Sequence, residues 1–132
     1  MNRPAQGILD TSAVIGLPGI DPATLPAEPI ITTITLAELS VGPLVARNGD
    51  ERSARQAVLQ QAEADFEPVP FDDAAARAFG GIAASLRESG RKTKARAYDA
   101  LIAAVAVSRG LPLYTSNAND FAHIPNLDVR EV

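Results

Sequence analysis

Short aliphatic or β-branched runs alternate along the chain with longer stretches that repeat at helical spacing. Gly7-Ile8-Leu9 is apolar and ends abruptly at Asp10-Thr11-Ser12, the pattern of a short buried strand followed by a helix N-cap. Ile30-Ile31-Thr32-Thr33 is β-branched throughout and predicts a second strand. Between them, prolines at 18, 22, 26 and 29 forbid a helix interior and predict a loop with room for one helical turn. Thr35-Leu36-Ala37-Glu38 matches a capping box and opens a helix that stops near Gly42-Pro43 or continues, kinked, towards Arg47.

Residues 50–64 are rich in Ala, Gln, Glu and Arg, with Ala54, Val58 and Ala62 four apart, and predict a helix. Glu67-Pro68-Val69 is a weak third strand, compatible only with an edge because of its prolines. Asp72 caps the next helix, whose Ala75, Phe79, Ile82, Ala83 and Leu86 face the core. A helix over 97–109 ends at Gly110, Leu113-Tyr114-Thr115 forms a strand, 118–122 a short helix, and Leu127-Asp128-Val129 a last strand. Strands alternating with helices indicate an α/β fold, one domain over residues 1–132, with a mainly parallel sheet of about five strands and helices on both faces. In such sheets ligands bind beyond the carboxyl ends of the strands.

Composition narrows the chemistry. The chain has 132 residues, no cysteine and one histidine, His123, so disulfides, thiolate metal sites and multi-histidine zinc centres are excluded. His123 reads as a surface residue. The longest apolar run, 100–107, falls far short of the roughly 20 residues of a membrane helix, and the start has no signal-peptide pattern, so the expected compartment is the cytoplasm, away from membranes. Net charge is −4, which argues against whole-surface attraction to nucleic acid. Five of the twelve cations nevertheless crowd into one segment: Arg87, Arg91, Lys92, Lys94 and Arg96. Placed before Asp99, they form a candidate phosphate-binding ridge for RNA, and such contacts position a strand without reading its sequence. Two tyrosines and four phenylalanines make no stacking platform, and Tyr98 and Tyr114 read as packing residues.

The residues after the predicted strands are acidic or hydroxylated. Asp10 follows the first strand, Glu38 lies in the helix after the second, and Asp99 opens the helix before Leu113. Thr115, Ser116, Asn117 and Asp120 follow that strand. Each has a structural explanation as a cap or a dipole partner. Gathered on one rim they would be different: two carboxylates about 5 Å apart repel by roughly 3 kcal/mol at an effective dielectric of 20, so a cluster calls for a cation or a shared proton. Hard divalent metals with oxygen ligands supply that cation and leave positions open for phosphate. Thr11, Ser12, Thr115 and Ser116 are then either caps or groups that orient the carboxylates.

The segments 8–15, 34–42 and 98–121, and the spacing between them, resemble the PIN domain, specifically the VapC-type toxin ribonucleases of toxin–antitoxin pairs. The most specific part is the helix starting at Asp99, followed by Gly110-Leu111-Pro112-Leu113-Tyr114-Thr115 and then Asn117 and Asp120-Phe121. The resemblance implies a PIN fold and hydrolysis of RNA phosphodiester bonds with Mg²⁺ or Mn²⁺, leaving a 5′-phosphate and a 3′-hydroxyl. It puts the acidic positions on Asp10, Glu38 and Asp99, with Asp10 and Asp99 as direct metal ligands and Glu38 acting through water or on the attacking hydroxide. The fourth polar position falls on Asn117 or Asp120; many members carry an aspartate where this chain has Asn117. It further implies a VapB-like antitoxin whose tail covers the acidic pocket, a homodimer, and larger toxin–antitoxin assemblies. The proline loop over 18–29 and the helices over 35–64 are candidates for the antitoxin groove.

Two rivals stand beside this reading. A receiver-like phosphoacceptor domain would need an acidic neighbour for Asp10, an aspartate after the third strand and a lysine after the last, and the sequence has none of these. A catalytically silent PIN module would bind RNA or a protein without cleaving, and the neutral Asn117 is the feature that speaks for it.

Overall fold

Ile8 and Leu9 send their side chains to opposite faces of a parallel sheet, and the two hydrophobic cores of the protein form around them. The computed structural model describes residues 4–90 and 97–132. Four strands, β1 (Gln6–Leu9), β2 (Glu28–Ile30), β3 (Leu113–Thr115) and β4 (Val129–Glu131), pair in the order β2-β1-β3-β4, all parallel. In register, Ile8 opposes Leu113 and Leu9 opposes Tyr114. Side chains alternate with period two, so Ile8 and Leu113 face one side and Leu9 and Tyr114 the other.

The first face carries α4 (Asp73–Glu88) and α5 (Ala97–Arg109), which bring Ile82, Leu86, Ile102 and Val105 against Ile8 and Leu113. Residues 102–106 of α5 are all buried, which explains why that stretch is apolar all round rather than on one stripe. Its end is a Schellman turn: Gly110 takes φ +66°, its N–H bonds to the Val107 carbonyl, and Leu111 N–H to the Ala106 carbonyl. The second face carries α1 (Thr11–Ile15), α2 (Thr33–Val41) and α3 (Gly49–Asp65), which pack Ala13, Val14, Leu39 and Ala62 against Leu9 and Tyr114.

Several boundaries differ from the sequence reading. The weak third strand shrinks to one parallel bridge, Val69 to Thr32, outside β2; its flanking Pro68 and Pro70 have no N–H to extend the ladder. Helix α2 starts at Thr33, with Thr32 as N-cap accepting from Thr35 N–H at 3.2 Å, so Glu38 sits mid-helix and is not the capping-box partner of Thr35. A 3₁₀ turn over Gly42–Val45 follows α2, and the proline loop holds two such turns, Leu17–Gly19 and Pro22–Thr24. The last strand starts at Val129, two residues later than the pattern suggests.

Candidate active site at the carboxyl rim of the sheet

Asp10 is the first residue beyond β1, and its backbone N–H bonds to the Tyr114 carbonyl at 3.0 Å, which locks it beside the end of β3. Its carboxylate is only 4% exposed. Oδ1 accepts from Ala13 N–H at 2.9 Å, capping α1, and from the Ser12 hydroxyl at 2.7 Å. Oδ2 accepts from the Thr115 hydroxyl at 2.6 Å. The capping and the functional readings of Asp10 therefore coexist. A carboxylate has about four lone-pair sites, so these three bonds fix the group and leave capacity on Oδ2.

The hydroxyls around it form a second tier. Ser12 Oγ also accepts from Ser116 N–H at 3.1 Å and lies 3.3 Å from Thr115 Oγ1, which accepts from Asn117 N–H at 3.0 Å. Two stretches of chain, the β1–α1 junction and the end of β3, are thereby tied to one carboxylate.

Glu38 reaches the same rim from α2. Its Oε1 accepts from the Thr11 hydroxyl at 2.6 Å, and Thr11 Oγ1 also lies 3.1 Å from Thr35 Oγ1, which is fully buried. Burial pushes the Glu38 carboxyl above its ordinary value, the Thr11 hydrogen bond pulls it back, and the neighbouring Asp10 charge adds to the rise. A cation beside these two acids would relieve both penalties.

Asp99 occupies the first turn of α5, half-buried, and α5 packs against α2. Among the described residues, no three Asp, Glu, His or Cys side chains stand close enough together to form a ready metal-holding group. The structure thus brings Asp10 and Glu38 together and leaves Asp99 on a neighbouring element. Asn117 is exposed and heads the 3₁₀ turn over Ala118–Phe121 through its carbonyl, which accepts from Asp120 N–H at 2.9 Å; its side chain makes no cap. Asp120 lies in that turn, half-buried.

Of the basic segment, Arg87 is exposed in the last turn of α4, while Arg91, Lys92, Lys94 and Arg96 lie outside the described residues. Tyr114 is a core residue as expected, but Tyr98 is 56% exposed, on the opposite side of the first turn of α5 from the fully buried Ala100. His123 is exposed at φ +71°. Pro18 of the proline loop and residues of the helices over 35–64, the segments whose pattern suggested a groove, line two cavities against α1. One, about 290 Å³, is mostly apolar, lined by Val14, Leu17, Pro18, Val58 and Phe66 with Gln61 and Asp65; the other, about 280 Å³, is lined by Thr11, Glu38, Leu39 and Arg55. Ile15 and Val58 border both, so the two form one groove ending at Glu38. No local sequence pattern marks Arg55, whose place in the same cavity as Glu38 depends on how α3 packs.

Among the described residues, Asp10, Glu38, Thr11, Ser12 and Thr115 offer oxygen ligands at this rim, a set that suits hard cations of the Mg²⁺ or Mn²⁺ type. No described helix is long and apolar enough to cross a membrane. A sequence profile of the PIN domain matches residues 8–127. The chain is 45% identical to ribonuclease VapC5 of Mycobacterium tuberculosis over 122 residues, covering 90% of this chain and 87% of that protein. It is 34% identical to the tRNA(fMet)-specific endonuclease VapC of Salmonella typhimurium, covering 76% and 73% of the two chains. The crystal structure of VapBC-5, a member of the VapBC family of toxin–antitoxin systems from M. tuberculosis, contains a chain that superposes with a TM-score of 0.84 at 41% identity, covering 98% of this chain and 100% of that one. The protein belongs to the PIN-domain family and, within it, to the VapC-type ribonucleases.

Proposed function

We propose that this protein is the toxin of a toxin–antitoxin pair, an endoribonuclease that hydrolyses RNA phosphodiester bonds with Mg²⁺ or Mn²⁺ held by Asp10, Glu38 and Asp99, and that a VapB-type antitoxin restrains it. The observation that carries the reading is the Asp10 carboxylate: three hydrogen bonds hold it rigid, Oδ2 keeps acceptor capacity, and the half-buried Glu38 stands close enough to feel its charge. When bound, the metal supplies a Lewis acid that polarises the scissile phosphate and lowers the pKa of water.

The protein's own groups do the rest. Thr115, Ser12 and the α1 N-terminus orient Asp10, and Thr11 orients Glu38. Glu38, with its raised proton affinity, is placed to take the proton of the attacking water. As the new P–O bond forms, the bond to the 3′ oxygen breaks, giving a 3′-hydroxyl and a 5′-phosphate. Asn117 and Asp120 share the fourth position at the end of β3. Arg87 and the basic residues 91, 92, 94 and 96 hold flanking phosphates. The groove between α1 and α3, apolar at Leu17, Pro18 and Phe66 and acidic at Glu38, fits an amphipathic antitoxin segment with a cation at its end. The related M. tuberculosis structure is a member of the VapBC family of toxin–antitoxin systems, which supports a VapB-type partner.

Labelled total RNA incubated with the purified protein in Mg²⁺, Mn²⁺ or EDTA, beside Asp10→Asn, tests the reading. Discrete metal-dependent fragments with 5′-phosphates, absent in the variant, are expected. Equal cleavage by the variant, or fragments bearing 2′,3′-cyclic phosphates, would sink it.

A further inference from the structure

Arg55 of α3 lines the same cavity as Thr11 and Glu38. Its Nη1 donates to the Gly42 carbonyl at 2.9 Å, and Nη2 pairs with Glu51, one turn back on α3. Its stem lies against Gly42 so closely that a Cβ there would come within 3.3 Å of Arg55 Cδ. A guanidinium presents five N–H donors in a rigid fork, so these contacts orient the group and leave donors for an oxyanion. Glu51 also accepts from Arg47 Nε at 3.1 Å, so one carboxylate is shared by two arginines and positive charge remains. The Arg55 side chain is 41% exposed, open enough to meet a ligand.

An RNA strand reaching Glu38 and Asp10 brings phosphates towards two carboxylates that repel them. A fixed cation lining the same cavity as Glu38 offsets that repulsion and sets where the strand lies. We propose that Arg55 is a substrate-binding residue that holds an RNA phosphate neighbouring the scissile one, on the Glu38 side of the site. This rests on the ribonuclease reading above. The two cavities differ in a way that favours a phosphate over an acidic peptide at this point: the one at Leu17, Pro18 and Phe66 is mostly apolar and suits a protein, whereas the other sets the Thr11 hydroxyl, the Glu38 carboxylate and the Arg55 guanidinium beside Ile15, Leu39 and Val58.

Steady-state cleavage of a short single-stranded RNA containing a mapped cleavage site, in Mg²⁺ and across a range of KCl, tests the proposal on Arg55→Gln, Arg55→Lys and Arg52→Gln. Arg52 is the control because its Nε bonds the Pro43 carbonyl at 3.3 Å, bracing the same 3₁₀ turn without lining the cavity. Losing one phosphate contact on a single strand lowers the slope of log affinity against log salt by about 0.7. Arg55→Gln is expected to raise KM about 3- to 10-fold, leave kcat within about twofold, and lower that slope by about 0.7. Arg55→Lys keeps the charge and therefore the slope, and serves if the glutamine variant melts too early to assay. Arg52→Gln is expected to keep wild-type KM and slope. Wild-type slopes in both Arg55→Gln and Arg52→Gln, or equal losses in the two, overturn the proposal; so does an unchanged slope combined with weakened antitoxin binding, which would assign Arg55 to the protein partner. A wild type that cleaves no RNA sinks the ribonuclease reading itself, an outcome distinct from an active wild type with an indifferent Arg55.

Discussion

The Thr115 hydroxyl donates to Asp10 Oδ2 at 2.6 Å, joining residues 105 positions apart in the chain. Both ends of that bond are buried, Asp10 directly after β1 and Thr115 at the end of the neighbouring parallel β3, so the β1–β3 register itself brings them together. Thr115→Val keeps the shape, removes the donor, and orphans the Asn117 N–H that Thr115 accepts. The expected cost is about 1–3 kcal/mol of stability and at least about 10-fold in kcat/KM, with Thr115→Ser close to wild type. Urea unfolding and RNA cleavage on the same preparations check both; a valine variant with full activity would show that Asp10 needs no such support.

Glu38 makes stability depend on pH in an unusual direction for a carboxylate. Its folded-state pKa is raised from 4.5, chiefly by burial, so the folded protein binds this proton more tightly than the unfolded chain does. The contribution of Glu38 to stability therefore falls as pH rises through 4.5 to the raised value, and stays at its lower level above it. In EDTA, Glu38→Gln should have a higher urea midpoint than wild type at neutral pH, with the gap closing below 4.5. Thr11→Val, which removes the stabilising donor, should widen the loss. A glutamine variant less stable than wild type at neutral pH contradicts this account.

Metal and fold should be linked through Asp10. A ligand that binds only the folded state stabilises it by RT ln(1 + [L]/Kd), about 2.7 kcal/mol at one hundred times Kd. Millimolar Mg²⁺ or Mn²⁺ is expected to raise the wild-type melting temperature by a few degrees and to leave Asp10→Asn unmoved, since asparagine can still cap α1 but carries no charge. Differential scanning fluorimetry with and without metal distinguishes the cases, and an equal shift in both proteins would place the metal elsewhere.

Gly7 is a packing requirement. A Cβ at this position would fall 2.4 Å from Tyr114 Cε1 and 3.1 Å from Pro26 Cγ, so alanine must push aside a ring that is 2% exposed. Gly7→Ala should cost about 1–3 kcal/mol by overpacking. Because Tyr114 precedes Thr115, part of the activity should go with it. A denaturation midpoint within error of wild type would show that the ring has room to move.

The alternation of strands and helices, Asp10 as a cap, the span of α5 and its Gly110 stop are legible along the chain because each depends on neighbours a few residues apart: apolar period, a short polar side chain before a helix, and a residue able to take positive φ. The start of α2 is not, since Thr32 and Thr35 are both capping residues and only the bond from Val69 to Ile31 shows where the extended backbone ends. The third strand failed for a related reason: β-propensity at Val69 counts for little when both neighbours lack the N–H a ladder needs.

Residue types alone determined that hard oxygen ligands would have to carry any metal chemistry here, in a chain with one histidine and no cysteine, and the spacing of the acids placed them after strands. Only the tertiary structure decided that Thr115 holds Asp10, that Thr11 holds Glu38, and that Arg55 shares a cavity with Glu38. Those partners are far apart in sequence, Thr11 and Glu38 by 27 positions and Asp10 and Thr115 by 105, and meet through parallel register and helix packing. A local pattern records the backbone's preferences, whereas which side chains meet across elements is set by the arrangement that buries the two apolar faces of the sheet.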